Sequence, residues 1–141
     1  MQEVMVMAPV DKVAGLWDDL DYVERLIRAW RPRNCNTKAE YHKSLFEYLG
    51  REMIGKKIEQ KYQMRQSKID LAIDKSIFIT IRKDLTTPRQ LDHLIEKIEK
   101  QSKDLYSLFV VLCGRVDEKL AKQLREKARS YFHFNCRIFV K

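Results

Sequence analysis

Residues able to bind a metal ion or a phosphate group fall close together in the segment from Lys68 to Arg89. Asp70 carries a carboxylate, which could hold a divalent cation, and Arg82 carries a guanidinium, whose fork of donors suits phosphate. Thr80 adds a neutral hydroxyl close to Arg82 in the chain. These groups could bind a cation or contact a phosphate, provided that the fold brings them together.

The hydrophobic pattern predicts how these residues are positioned. Apolar and polar residues alternate over 69–73 and again over 77–81, which indicates two β-strands. The polar residues 74–76 between the runs predict a β-hairpin. One face should then be wholly apolar, with the opposed pairs Ile73–Ile77, Leu71–Ile79 and Ile69–Ile81. On the other face, Asp70 should lie beside Thr80, and Lys68 opposite Arg82.

The predicted hairpin carries an acid on its first strand and Thr80-Ile81-Arg82 on its second. This layout resembles the metal-binding core of the PD-(D/E)xK nuclease superfamily, which includes Holliday-junction resolvases and RecB-like nucleases. Asp70 matches the first acid of the family pattern. Thr80 stands in place of the second acid, and Arg82 in place of the lysine. The resemblance covers residues 38–141 and implies a restriction-endonuclease-like fold, a three-layer α/β/α domain with a mixed central sheet and, here, an N-terminal helical extension.

Many nucleases of this superfamily carry a glutamate on the helix before the sheet. Glu40 matches that position, and Glu47 is a second choice. The resemblance implies that Asp70 and Glu40 would hold Mg²⁺ in an active enzyme. Glu40 has another interpretation, because it lies three residues after Thr37, which is the spacing of a capping box at a helix start.

The candidate catalytic residues, taken from the family pattern, are Asp70, Thr80, Arg82 and Glu40. Thr80 is a poor substitute for a carboxylate ligand, and the guanidinium of Arg82 does not deprotonate near neutral pH, so it cannot act as a base. We therefore predict a nuclease-fold protein that binds nucleic acid and is catalytically impaired. The alternative is an active Mg²⁺-dependent DNA endonuclease, in which Lys68 or Glu59 supplies a missing group.

The positive charge lies in the nuclease-like part of the chain. Residues 1–50 hold 7 Lys and Arg against 8 Asp and Glu, whereas residues 51–141 hold 21 against 12. A basic surface attracts polyanions, so nucleic acid, and DNA first, is the expected partner; alternatively the charge only solvates the surface. The candidate nucleic-acid-binding residues are Lys68, Arg82, Lys83, Arg89, Lys119, Lys122, Arg125 and Arg129.

The N-terminal part, residues 1–36, is predicted to be distinct from the core over residues 37–141. Residues 10–30 have apolar side chains at spacings of three and four, which predicts an amphipathic helix. Its apolar stripe could pack on the core of the same chain or form a homodimer interface. The second possibility supports another class of function, a protein-interaction or assembly module.

The whole chain is predicted to follow the order α-α-β-β-β-α-β-α-β. Thr87 should cap the third helix, with Pro88 as its first residue. Lys97 is expected on the solvent side of that helix. Nucleases of the resembled family often have a glutamine on this helix and a tyrosine one turn later, and the nearest positions here are Lys97 and Gln101, a further departure from the family pattern. The remaining predicted elements are strands over 57–64, 105–114 and 136–141 and a basic helix over 118–132.

Composition limits the class of protein. No apolar run approaches the roughly 18–20 residues that a membrane span requires. The first ten residues are too short an apolar segment and include Glu3, so we do not expect a signal peptide. Cys35, Cys113 and Cys136 are widely spaced without a C-x-x-C pair, which argues against a zinc site or a disulfide framework. We therefore expect an intracellular, cytoplasmic protein.

Overall fold

The structure, a computed structural model, describes residues 18–65, 67–130 and 135–141. The chain divides after Trp30 into two units. In the first unit, residues 18–29 form a helix, α1, and the predicted helical residues 10–17 lie outside the described residues. Leu20, Val23, Ile27 and Trp30 of the predicted apolar stripe are buried.

The second unit, Arg31–Lys141, contains a five-stranded mixed sheet. Its elements are α2 Lys38–Glu52, β1 Ile58–Gln63, β2 Lys68–Ile73, β3 Ile77–Leu85, α3 Pro88–Ser102, β4 Ser107–Val116, α4 Glu118–Ser130 and β5 Asn135–Val140. The strands lie in the order β1-β2-β3-β4-β5. The first three strands are antiparallel, whereas β3, β4 and β5 are parallel. This confirms the predicted α/β class, the mixed sheet and the order of the elements.

Capping boxes begin the two helices that flank the first three strands. The Thr37 hydroxyl accepts the Glu40 N–H at 3.1 Å, and the Glu40 carboxylate accepts the Thr37 N–H at 3.1 Å. Thr87 and Gln90 make the same reciprocal bonds at the start of α3, with Pro88 as its first residue. Both predicted helix starts are therefore confirmed, because each local sequence satisfies the free N–H groups of its first turn.

Helices cover both faces of the sheet in this unit. On one face, α3 and α4 pack against alternate residues of the strands, among them Ala72, Phe78 and Val110. On the other face, α2 contacts β1 and β3, and its Tyr41 lies near Cys113. Residues 107–113 of β4 are buried without alternation, which confirms the prediction of a central strand covered on both sides.

The predicted hairpin register is confirmed for its first half. Ile73 pairs with Ile77 and Leu71 with Ile79, and the loop is formed by residues 74–76. The prediction is wrong beyond these pairs, because the β2–β3 ladder ends at Leu71 and Ile79. Ile69 does not pair with Ile81, and Lys68 does not lie opposite Arg82.

A break in the β1–β2 ladder at Asp70, here called the bend in β2, accompanies this difference. Opposite Asp70, the β1–β2 ladder omits Lys61, which has a left-handed backbone with φ 50°. The register is the same on both sides of this break, so no residue is inserted, but the left-handed residue interrupts the regular alternation of side chains between the two faces. Ile69 consequently joins Ala72 and Phe78 in the core beneath α3, instead of lying on the opposite face as predicted. The bend also separates β2 from β3 at Asp70, which leaves backbone donors of β3 open to side chains.

A second irregularity lies where β3 and β4 end. Asp84 has φ 66°, and the β3–β4 register shifts between Lys83 and Leu85. The Asp84 carboxylate accepts the Arg115 N–H at 2.9 Å and pairs with the Lys83 ammonium at 2.7 Å. The hydrogen bond from Lys83, followed by that from Arg115, lowers the pKa of Asp84. This bulge returns Leu85 to the core under α3 and α4.

Gly114 is required by this second irregularity. Its φ is +76°, and a Cβ there would lie 2.5 Å from Asp84 Oδ1. We expect Gly114→Ala to lower the free energy of unfolding by about 2–3 kcal/mol, since a left-handed alanine alone costs about 1–2 kcal/mol. Denaturant unfolding measures this loss. Gly50→Ala is the control: Gly50 lies in α2 with nothing within 4 Å of its added Cβ, so it should stabilise by about 0.5–1 kcal/mol. Equal effects at both glycines would contradict the prediction.

Candidate nucleic-acid interface

Asp70 occupies the gap where β2 separates from β3. Its Oδ2 accepts the backbone N–H of Ile81 at 2.7 Å and the Thr80 hydroxyl at 3.4 Å. Its Oδ1 lies 3.1 Å from the Lys38 ammonium, at the start of α2. The side chain is only 14% exposed. Both carboxylate oxygens are therefore engaged by donors of the protein itself.

Lys97 lies near this carboxylate, and Arg82 lies near Lys97. The Arg82 Nε donates to the Asp84 carbonyl at 3.0 Å, and its Nη groups have no partner among the described residues. Lys97 is half-buried on α3, and the prediction that it lies on the solvent side is wrong. Burial lowers the pKa of Lys97; the charge of Asp70 acts in the opposite direction, and those of Lys38 and Arg82 lower the pKa further. Asp70, Lys38 and Arg82 are therefore each close enough to act on the charge of Lys97.

We call this group of side chains the Asp70 cluster; its members are Lys38, Asp70, Thr80, Arg82 and Lys97. It combines three positive charges with one negative charge, and the single carboxylate already has three donors. Mg²⁺ prefers several oxygen ligands, and the described residues contain no group of three or more His, Cys, Asp or Glu suited to a metal ion. The cluster is better suited to an anion, which could accept from the free donors of Arg82 and Lys97.

Glu40 does not contact Asp70. Its carboxylate accepts the N–H groups of Asn36 and Thr37, at 3.0 and 3.1 Å, in the capping box of α2. The Asn36 hydrogen bond is the largest cause of its lowered pKa. Of the two interpretations of Glu40, the structure therefore bears out the cap and does not place this residue with Asp70 as a metal ligand. Glu47 is exposed and lies 4.0 Å from the Lys43 ammonium.

The two residues considered as replacements lie elsewhere. Lys68 has an exposed side chain, and its carbonyl accepts from the buried Gln101 amide at 3.2 Å. Glu59 pairs with Ala72 across the β1–β2 ladder, and its carboxylate lies 4.0 Å from the Lys57 ammonium. Among the described residues, neither side chain contacts Asp70. Lys68 and Glu59 therefore do not supply the lysine and the acid that the family pattern would place at Arg82 and Thr80.

The other predicted binding residues divide into two sets. Lys83 pairs with Asp84 where the β3–β4 register shifts, and Arg89 is exposed in the first turn of α3. The remaining four are exposed on α4, which contacts β5 at the far side of the sheet from β2. We call these four the α4 basic surface: Lys119, Lys122, Arg125 and Arg129. The sheet order separates them from the Asp70 cluster, so they form a second basic surface.

Sequence reasoning missed Lys38 and Lys97 as members of the site. One signal for Lys97 was available, because Lys97 lies three residues after Leu94 and four before Gln101, both of which are buried. That spacing places Lys97 on the inner face of α3. No comparable signal marked Lys38, since its contact with Asp70 depends on the bend in β2.

The cysteines form no site with one another. All three are free; Cys113 is buried, and Cys35 and Cys136 are partly buried. Burial raises the pKa of both Cys113 and Cys136 to about 12, so these thiols are protonated and unreactive at neutral pH. The expectation of no disulfide and no zinc site rests on their spacing and stays a prediction.

Comparison with known proteins adds no further assignment. No helix in the described ranges has the length and apolarity needed to cross a membrane. No known protein family, no curated protein and no solved structure matches this chain at a significant level.

Proposed function

We propose that this protein binds nucleic acid, with DNA as the first candidate, through the Asp70 cluster and without a metal ion. The fold proposed for it is restriction-endonuclease-like, with the metal site of that fold converted to a phosphate-contacting site. The five-stranded mixed sheet with helices on both faces supports this assignment. So does the position of Asp70, Thr80 and Arg82 at the junction of two neighbouring strands.

A single observation carries the proposal. Asp70, the residue that would hold a metal ion, instead bonds to Lys38 and to the Ile81 N–H, at 3.1 and 2.7 Å. A metal ion would have to displace both donors and would gain one carboxylate. A phosphate can instead be bound beside the existing ion pair, because Arg82 and Lys97 keep donors that no described residue accepts. Arginine and lysine at such a site are typical of phosphate recognition.

The test is equilibrium binding of labelled duplex, single-stranded and junction DNA over a salt series, with Mg²⁺ and with EDTA. Each phosphate contact releases condensed counterions, so losing one should reduce the slope of log K against log salt by about one. We expect Arg82→Gln to reduce the slope by this amount and to weaken binding several-fold. The matched control is Lys100→Gln, which removes one charge from an exposed position of α3 and should change the slope less.

Three outcomes would overturn the proposal. Mg²⁺-dependent cleavage that Asp70→Ala abolishes would identify an active endonuclease. Binding that is lost in the double variant Lys119→Gln, Lys122→Gln and retained in Arg82→Gln would move the interface to the α4 basic surface. The absence of salt-dependent binding to DNA would favour the protein-interaction alternative, for which self-association is then measured by analytical ultracentrifugation.

A further inference from the structure

A pocket of about 430 Å³ lies between α2 and β1, within the second unit of the chain. Its volume is in the range of sites that bind small organic groups. Ala39, His42 and Phe46 line it from the helix, and Gln60 and Lys61 line it from the strand. None of these side chains belongs to the Asp70 cluster.

The strand side of the pocket depends on an unusual backbone. Successive residues of a β-strand normally point to opposite faces of the sheet. Gln60 and Lys61 nevertheless line the same pocket. Lys61 has a left-handed backbone with φ 50°, which is unfavourable for a lysine because its Cβ crowds a carbonyl oxygen. Backbone conformations of this kind are concentrated at ligand-binding and active sites, so the shape of β1 here indicates a site.

The walls of the pocket suit a flat ring with polar edges. Phe46 is half-buried and makes no ring contact with another aromatic side chain in the described ranges, so its ring can stack on a ligand. His42 Nε2 lies 3.1 Å from Gln60 Oε1. Because that oxygen can only accept, the imidazole donates to it, and the two amide N–H donors of Gln60 remain for a ligand.

Positive charge lies beside these donors. Lys61 is exposed and forms no ion pair among the residues that the structure describes. Lys43, which also lines the pocket, lies 4.0 Å from the Glu47 carboxylate. An aromatic wall with amide donors and an unpaired cation matches a nucleobase, which offers a π face, carbonyl oxygens at its edge and a phosphate close by.

The pocket adjoins the Asp70 cluster. Lys38, which lies 3.1 Å from Asp70 Oδ1, precedes His42 by four residues on α2. Residues four apart on a helix lie on the same side, with their Cβ atoms about 6 Å from each other. On the strand side, Lys61 stands opposite Asp70 where the β1–β2 ladder is broken. A nucleotide whose phosphate is held at the Asp70 cluster therefore has its base within reach of the pocket.

We propose that the pocket between α2 and β1 binds one unpaired base of a DNA strand, stacked on Phe46 and held at its edge by Gln60 and Lys61. This inference rests on the proposed binding of DNA at the Asp70 cluster, and it adds a preference for single-stranded or locally opened DNA. Because the pocket presents donors, the base is one with carbonyl acceptors at its edge, such as thymine.

The experiment compares two labelled oligonucleotides of equal length, an all-thymine strand and a strand of abasic spacers, bound to the full chain in EDTA. Both carry the same phosphates, so the ratio of their dissociation constants isolates the contribution of the bases. We expect the thymine strand to bind at least about fivefold more tightly, which is the smaller effect of stacking one base on an aromatic side chain.

Variants of Phe46 locate this preference. Phe46→Leu, which keeps an apolar side chain, should bring the ratio near one, whereas Phe46→Trp should retain it. Tyr106→Leu is the matched control, because Tyr106 is 56% exposed and does not line the pocket. With one thymine replaced by 5-iodouracil, irradiation of the complex should cross-link the strand to Phe46, as located by peptide mapping.

The outcomes separate the base pocket from the binding function. Equal, salt-dependent binding of both strands would overturn the pocket and leave the binding function standing. A preference for thymine that Phe46→Leu retains, or a cross-link that maps outside the pocket, would also overturn it. Failure of both strands to bind at all would instead refute the binding function on which the inference depends.

Discussion

Asp70→Asn is expected to lower the free energy of unfolding by about 1–3 kcal/mol and, in the same protein, to tighten the binding of DNA. The two effects have one cause. Asparagine keeps the shape of the side chain and can still accept the Ile81 N–H. It removes the only negative charge of the cluster, so Lys38, which lies 3.1 Å from Asp70 Oδ1 and is itself 47% exposed, loses its counter-charge. The positive charges of Lys38, Arg82 and Lys97 then repel one another, and a bound phosphate would relieve this repulsion.

The measurement combines denaturant unfolding with DNA binding over a salt series. The slope of log K against log salt should steepen by about one relative to the unmodified protein, because one more positive charge is available to phosphate. Added polyanion should also restore part of the lost stability, since a ligand that binds the folded state stabilises it by mass action. Asp92→Asn is the matched control: it makes the same change at an exposed position of α3 and should alter both quantities less.

This variant separates the two nuclease-fold hypotheses because they predict opposite signs. If Asp70 held a catalytic metal ion, its removal would abolish cleavage and would not improve binding through the site in the absence of metal. If Asp70 is instead the counter-ion of a phosphate site, the variant binds more tightly and loses stability. Weaker binding in EDTA together with unchanged stability would contradict the role assigned here.

Much of the fold could be predicted because it depends on short-range patterns. The loop over 74–76 and the alternation beside it set the Ile73–Ile77 and Leu71–Ile79 pairs, which the structure contains. Thr37 and Thr87 mark helix starts because each is followed three residues later by Glu or Gln, and each makes the reciprocal capping bonds. The uninterrupted apolar residues of β4 similarly indicated a strand buried on both faces.

The site was predicted only in part, because its geometry depends on backbone conformations that the sequence does not signal. The bend at Asp70 lies opposite Lys61, and a lysine gives no indication of a left-handed backbone, which glycine or asparagine would have suggested. Without that bend, Ile69 would lie on the other face and the Ile81 N–H would remain within the ladder. The contact between Lys38 and Asp70 likewise joins two elements distant in the chain.

The resemblance to nucleases contributed the positions of the site and not its chemistry. It directed attention to Asp70, Thr80 and Arg82, which do lie together, with the Thr80 hydroxyl 3.4 Å from Asp70. It also suggested Glu40 as a metal ligand, whereas that carboxylate is used in the cap of α2. The charges supplied by Lys38 and Lys97 are what change the interpretation from a metal site to an anion site.

The stability of the protein is expected to fall steeply above pH 9, because two thiols are held protonated in the folded state. Burial raises the pKa of Cys113 and of Cys136 from 9.0 to about 12. Above pH 9 the unfolded chain releases these protons and the folded chain does not, so unfolding becomes more favourable as the pH rises. The contribution of the two thiols to stability is therefore complete below pH 9, the pKa of a thiol in the unfolded chain, and is lost progressively up to pH 12. At pH 10.5 each thiol should account for a loss of about 2 kcal/mol, at 1.36 kcal/mol per pKa unit.

Lysine and tyrosine side chains also titrate in this range, so the test compares slopes between variants. The free energy of unfolding is measured by denaturant titration between pH 7 and pH 10.5 under reducing conditions. The double variant Cys113→Ala, Cys136→Ala should be less stable at pH 7, because it leaves cavities in the core. Between pH 7 and pH 10.5, however, its loss of stability should be smaller than that of the unmodified protein by about 4 kcal/mol. Ile77→Val serves as the control, because it removes a buried methylene without removing a thiol, and it should keep the slope of the unmodified protein. If the double variant lost stability with pH as steeply as the unmodified chain, the two thiols would not be the groups responsible.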